Sequence, residues 1–189
     1  MYKSAVEKEE LYLDEYRNYV RRLASEHSSD IIYNADKKHA AILLGEIIRS
    51  SKESLQIICQ NMDPLVTEKP DYINAMTEFL DRGSPQVKIL MTDYYRNKDI
   101  FDNSEIFNLL KKHKNQVTLK YMEESDLNLV YIGDNLLNFT TSDDIAYRFE
   151  TDVYNNMALG CFNDRETVKV LNEKFSVLFN HCENKISLQ

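Results

Sequence analysis

Side chains that could do chemistry gather in one stretch of this chain. Asp126, Asp134, Asp143, Asp144, Glu150 and Asp152 follow one another closely. Carboxylates in such number suit a divalent cation, which takes several oxygen ligands at once. They form no compact acidic loop of the EF-hand kind, so solvated turns are the simpler reading and no metal site is expected. His27, His39, His113 and His181 stand apart, with neither HxxxH nor HExxH spacing, and read as surface or core residues. There is no G-x-S-x-G, no P-loop and no GxGxxG, and four glycines leave little room for a loop that cradles phosphate. No cofactor is expected. Cys59, Cys161 and Cys182 are odd in number and far apart, without a CxxC pair. Cys59 and Cys161, inside apolar runs, read as buried free thiols, and the set points to a reducing, cytoplasmic compartment.

Charge weighs against a dedicated nucleic-acid binder. The formal net charge is −8, whereas phosphate neutralisation calls for a basic field. Arg21-Arg22, Lys37-Lys38 and Lys111-Lys112-Lys114 could join Tyr94-Tyr95-Arg96 in a local strip for a phosphate backbone. Solvated helix faces balanced by neighbouring acids are the simpler reading. No apolar run reaches the roughly 20 residues that span a bilayer, and the first residues lack the apolar core of a signal peptide. The 189 residues, 43% of them hydrophobic and 29% charged, suit a globular fold with a sizeable core.

The elements that must position these residues alternate in type. The spacing predicts a helix from about Ala5 to Glu26, with Tyr12, Tyr16, Tyr19, Val20 and Leu23 on one stripe. That stripe either docks on its own domain or meets a partner chain, and its aromatic content slightly favours an interface. Ile31–Tyr33 reads as a short extended piece, then a helix over about Ala35 to Ser51, a strand Leu55–Cys59, a helix from Pro70 closed by Gly83, and a strand Val87–Met91. A helix from about Ser104 to His113 follows, then strands Val117–Tyr121, Leu127–Ile132, Leu136–Phe139 and Val153–Phe162. Asn163 with Glu166 opens a last amphipathic helix. This order predicts an α/β fold: a mixed, mostly parallel sheet flanked by helices. The expected division is an N-terminal amphipathic helix, 1–30, and an α/β domain, 31–189.

From about Ala35 to His181 the chain resembles a single, nuclease-like unit of the phospholipase D superfamily. Phe79-Leu80-Asp81-Arg82-Gly83 followed by Val87-Lys88-Ile89-Leu90 is similar to a helix and strand of that family. The sharper likeness lies in Asp126-Leu127-Asn128-Leu129-Val130-Tyr131-Ile132-Gly133-Asp134. Active members carry His-x-Lys-x(4)-Asp here and Gly-Ser-x-Asn after six more residues. In them histidine attacks phosphorus while lysine and asparagine hold the phosphate oxygens. In this chain Asp126 takes the nucleophile position and Asn128 the lysine position. Gly133, beside Asp134, takes the aspartate position, and Thr140, Thr141, Ser142 and Asp143 stand for Gly-Ser-x-Asn. Glu150 matches a glutamate that supports the histidine. The hydrophobic pattern is kept and the catalytic motif is degenerate.

The resemblance therefore implies a vestigial pocket of Asp126, Asn128, Asp134, Thr140, Thr141, Ser142, Asp143 and Glu150, acidic enough to repel phosphate. It implies a catalytically inactive binding, scaffold or regulatory module, with no catalytic residues. By analogy alone, such a module belongs in a bacterial multi-protein, defence-type system. Homodimerisation or a protein partner is expected, with Tyr12, Tyr16, Tyr19 and Leu23 as interface candidates and no membrane association. The alternatives are nucleic-acid binding without cleavage, or a phosphodiesterase that uses a metal or relocated residues.

Overall fold

The computed structural model describes residues 4–133, 135–153 and 157–189. Helix α1 (Ala5–Ser25) starts at a capping box: the Ser4 hydroxyl accepts from the Glu7 amide and the Glu7 carboxylate accepts from the Ser4 amide. Its stripe folds back on the chain. Val20, Leu23 and Ala24 pack against Ile42, Leu43 and Ile47 of α2 (Lys37–Ser50), with Ile32, Ala146 and Phe162 completing the cluster. Leu23 is only 1% exposed, and Tyr16 is half-buried with its ring edge-on to His39. Among the four interface candidates, Tyr12 and Tyr19 stay exposed, at 59% and 40%.

The strands are β1 (Ile32–Asn34), β2 (Ser54–Cys59), β3 (Gln86–Met91), β4 (Val117–Tyr121), β5 (Tyr131–Ile132), β6 (Asn135–Leu136), β7 (Phe139–Ser142), β8 (Ala146–Asp152) and β9 (Met157–Cys161). Seven of them form one mixed sheet in the order β1-β9-β8-β7-β2-β3-β4. The α/β class holds, but the parallel part is confined to one half. β2–β3 and β3–β4 are parallel, with crossovers through α4 (Pro70–Leu80) and through α5 (Tyr94–Asp102) and α6 (Glu105–Lys112). The other four pairings are antiparallel, and short connections account for two of them, β7–β8 and β8–β9. Apolar residues of α2, α4 and α6 cover one face of β2–β4, and α7 (Arg165–His181) covers the other through Val168, Leu171, Phe175 and Leu178.

The strand expected over Leu127–Ile132 is replaced by a 3-10 helix, Glu124–Val130, that runs into the two-residue β5. Leu127 and Val130, three apart, both turn to the α7-side core, which is the period of a 3-10 helix. Leu136–Phe139 likewise does not form one strand. Leu136 pairs with Tyr131 in a separate hairpin, and the main sheet begins only at Phe139. Neither β5 nor β6 belongs to the main sheet, contrary to expectation. The expected strand Val153–Phe162 is β9 alone; its residues 154–156 lie outside those described, and β8 precedes it. α7 is capped by Asp164 rather than Asn163, the Asp164 carboxylate accepting from the Thr167 amide at 3.0 Å.

Three helices meet at Asp71. Arg17 of α1 donates from Nε and Nη2 to the two Asp71 carboxylate oxygens at 2.8 and 2.9 Å, and Arg49 of α2 donates to its carbonyl at 3.3 Å. The Arg17 hydrogen bond holds the Asp71 carboxyl below the usual carboxylate range. The folded-state pKa is thus depressed, so this stabilisation is full above the unfolded value of about 3.9. It is lost as pH falls through the folded value. Asp71→Asn should cost about 1.5–3 kcal/mol at pH 7 and progressively less below pH 4, read from urea midpoints. An equal loss at pH 7 and pH 3 would refute the assignment.

Candidate functional site

A cavity of about 370 Å³ opens beyond the C-terminal end of β2, where the sheet passes from its parallel to its antiparallel half. Ligand sites in open α/β sheets favour such places. Register builds its floor. Ile57, Thr140 and Arg148 lie side by side across β2, β7 and β8, so their side chains share a face, and Cys59 and Glu150 lie two residues further along. The walls come from Lys37, Ala40 and Leu44 of α2 and from Met62, Asp63, Val66 and Thr67 in and before α3 (Pro64–Thr67).

Arg148 is the central group. It is 4% exposed; Nε donates to Asn34 Oδ1 at 3.0 Å and Nη1 to Glu150 Oε1 at 2.8 Å. Glu150 Oε2 accepts from Asn138 Nδ2 at 2.7 Å. Arg148 Nη2 is buried and has no partner among the described residues. An unmade hydrogen bond of this kind costs about 1–3 kcal/mol, more for a charged group. The Tyr16 hydroxyl, outside the cavity lining, is also buried without a partner among the described residues. Burial pushes its phenol up, against the opposing charge of Arg148. At the rim Lys37 Nζ meets Asp63 at 2.7 Å. Among the described residues the charged lining is Arg148 and Lys37 against Glu150 and Asp63, a balanced set. Cys59 is the cavity's thiol, and burial, with the Glu150 charge adding, pushes it up to about 12.

Of the seven motif-derived residues that are described, two reach this cavity, Thr140 and Glu150. Asp126 lies on the 3-10 helix, 3.5 Å from His181 Nε2 at the end of α7, and Asn128 is exposed on the same helix. Asp134 lies outside the described residues. Thr141 points to the opposite face and donates to Asn172 of α7 at 2.6 Å. Ser142 meets the Ser51 hydroxyl. Asp143, at φ +49°, accepts from the amides of Lys52, Glu53 and Ser54, at 2.9 and 2.8 Å from the last two, and so fixes the entry to β2. The seven described ones do not form one pocket. Arg148, Asn138 and Asn34 complete the site instead, and only the alternation Tyr147-Arg148-Phe149-Glu150 marks two of its members in the sequence. Among the described residues no group of three or more His, Cys, Asp and Glu is placed to hold a metal ion, and no helix is long and apolar enough to cross a membrane.

No protein-family model and no curated protein sequence matches the chain. Solved structures do. TrmBL2, an archaeal chromatin protein with a novel mode of DNA binding, matches over 96% of this chain and 66% of its own, with a TM-score of 0.58 and 16% identity. Nuc from Salmonella typhimurium, a phospholipase D family member, matches over 85% of this chain and 99% of its own, with a TM-score of 0.56 and 13% identity. NucT from Helicobacter pylori matches over 82% and 99%, with a TM-score of 0.51 and 12% identity. The chain spans just under two thirds of TrmBL2 and nearly all of the two shorter proteins. At such identities the likeness is one of fold: a mixed seven-stranded sheet flanked by helices, built as in phospholipase D-like proteins.

Proposed function

We propose that this chain is a phospholipase D-like protein without phosphodiesterase chemistry, acting as a binding or regulatory module. One observation carries the reading: the cavity at the sheet's switch point is lined by no histidine. Asp126, at the nucleophile position, is an anion that repels a phosphodiester, and Asn128 cannot supply the cation that offsets developing oxyanion charge. Neither lines the cavity. Cys59, its thiol, is held protonated at neutral pH.

A module of this kind works through a partner, and a second copy of the chain is the partner we favour. Tyr12 and Tyr19, seven residues apart on α1, leave an aromatic surface exposed after the rest of the stripe has docked. In sedimentation velocity the intact chain should run as a dimer and the Tyr12→Ser/Tyr19→Ser variant as a folded monomer. A monomeric intact chain at micromolar concentration would remove the dimer from the account.

Nucleic-acid binding without cleavage is the second reading, favoured by the DNA binding of TrmBL2 and opposed by the net charge of −8. Labelled single- and double-stranded DNA incubated with the chain and Mg²⁺ separates the readings on paired native and denaturing gels. We expect neither retardation at about 150 mM salt nor shortened product. Retardation alone would support the second reading, and shortened product would overturn the first.

A further inference from the structure

We propose that the cavity binds a small organic carboxylate, with a carboxyl oxygen on the free Nη2 of Arg148 and an apolar body against Leu44, Met62 and Val66. The proposal rests on reading the cavity as a binding site rather than a reaction centre, and it names the ligand class.

The volume of about 370 Å³ lies within the range of small-molecule sites, where a few placed polar groups are set in an apolar surround. Arg148 supplies such a group. It lines the cavity, is more than nine-tenths buried, and has two of its three nitrogens held by Asn34 and Glu150. The third has no partner among the described residues. A buried guanidinium nitrogen that lacks a partner is completed by an acceptor oxygen, and an anionic oxygen makes the stronger bond.

Charge favours a monoanion over a dianion. The lining already matches two cations with two carboxylates. A phosphate dianion would bring two further negative charges beside Glu150 and Asp63, where a carboxylate brings one. The polar floor belongs to β7 and β8, while Leu44, Met62 and Val66 form an apolar wall from α2 and the approach to α3. A ligand with one charged end and one apolar end meets both surfaces.

Isothermal titration calorimetry on the full chain tests this with hexanoate, hexanamide and inorganic phosphate as probes. Hexanoate should bind saturably. Hexanamide, of the same shape without the charge, should bind at least about tenfold more weakly, and phosphate should not displace hexanoate. Arg148→Lys keeps the charge but loses the planar fork, and should weaken hexanoate by about tenfold or more. Because Arg148 is buried, a second variant leaves it intact: Val66→Trp, on the wall, should abolish binding while the urea midpoint stays close to that of the wild type. The proposal is overturned if hexanoate does not bind at millimolar concentration, if hexanamide binds equally well, if phosphate displaces hexanoate, or if folded Val66→Trp binds as the wild type does. Phosphodiester hydrolysis by a chain that binds hexanoate would defeat the non-catalytic reading and keep the ligand. A chain that does neither loses the ligand alone.

Discussion

Arg148→Ala should destabilise the fold by about 3–5 kcal/mol, the loss typical of removing one partner from a buried ion pair. The substitution leaves Glu150, itself largely buried, with the Asn138 amide as its remaining hydrogen bond, and takes one donor from Asn34. It also empties the volume of a long side chain at the centre of the sheet's antiparallel half. A buried carboxylate that has lost its counter-ion is the larger of these costs. If that is right, Arg148→Met/Glu150→Leu should be more stable than Arg148→Ala, because no charge is left stranded. Urea denaturation of Arg148→Met, Glu150→Leu and the double variant gives the coupling directly. A loss within about 0.5 kcal/mol for Arg148→Ala, or additive single losses, would show that Arg148 is solvated and that the pair is not buried.

Gly45→Ala should cost about 1–3 kcal/mol or more, although alanine favours a helix interior over glycine by about 1 kcal/mol. Gly45 lies in α2 where the first turn of α4 crosses it. A Cβ there would stand 2.2 Å from the Asp71 carbonyl oxygen and 2.8 Å from its carbon. Both are backbone atoms, so rotamer changes cannot relieve the overlap and the two helices must separate. Separation would also strain the Arg49 bond to the same carbonyl and the Arg17 bond to the Asp71 carboxylate. A thermal melt reads the effect. A variant that melts at or above the wild-type temperature would mean that α2 and α4 do not lie this close.

How far the structure can be read from the sequence depends on which way each polar side chain faces. Ser54–Cys59 and Gln86–Met91 are legible because they are inner strands covered by helices, and buried runs of Leu, Ile and Val have few other uses. Val117–Tyr121, at the sheet's edge, is legible because Val117 and Leu119 alternate with polar residues. The helices of Ala5–Ser25, Lys37–Ser50 and Arg165–His181 are legible from their stripes. β8 is obscure because its polar residues Arg148 and Glu150 point into a cavity while Tyr147 and Phe149 face the core on the other side, so the strand is covered on both faces yet half polar. α5 is obscure because it buries only Tyr94 and Phe101 along nine residues rich in charge. The site is the least legible part. The motif positions around Asp126 suggest a pocket where the chain makes a 3-10 turn against α7, and the group that defines the cavity, Arg148, belongs to no motif. Its importance comes from a register, Ile57 beside Thr140 and Thr140 beside Arg148, that exists only once three strands have paired.

The central claim is that the fold is kept while the phosphodiesterase chemistry is absent, and a single-turnover measurement bears on it most directly. The chain in molar excess over bis(p-nitrophenyl) phosphate, with Mg²⁺ and separately with a chelator, is followed for release of p-nitrophenol and by intact mass. The account predicts no release above buffer and an unmodified mass, because Asp126 and Asn128 offer neither nucleophile nor cation and no histidine lines the cavity. A burst of p-nitrophenol that Asp126→Ala or Glu150→Gln abolishes, or a phosphoryl adduct on any residue, would contradict it.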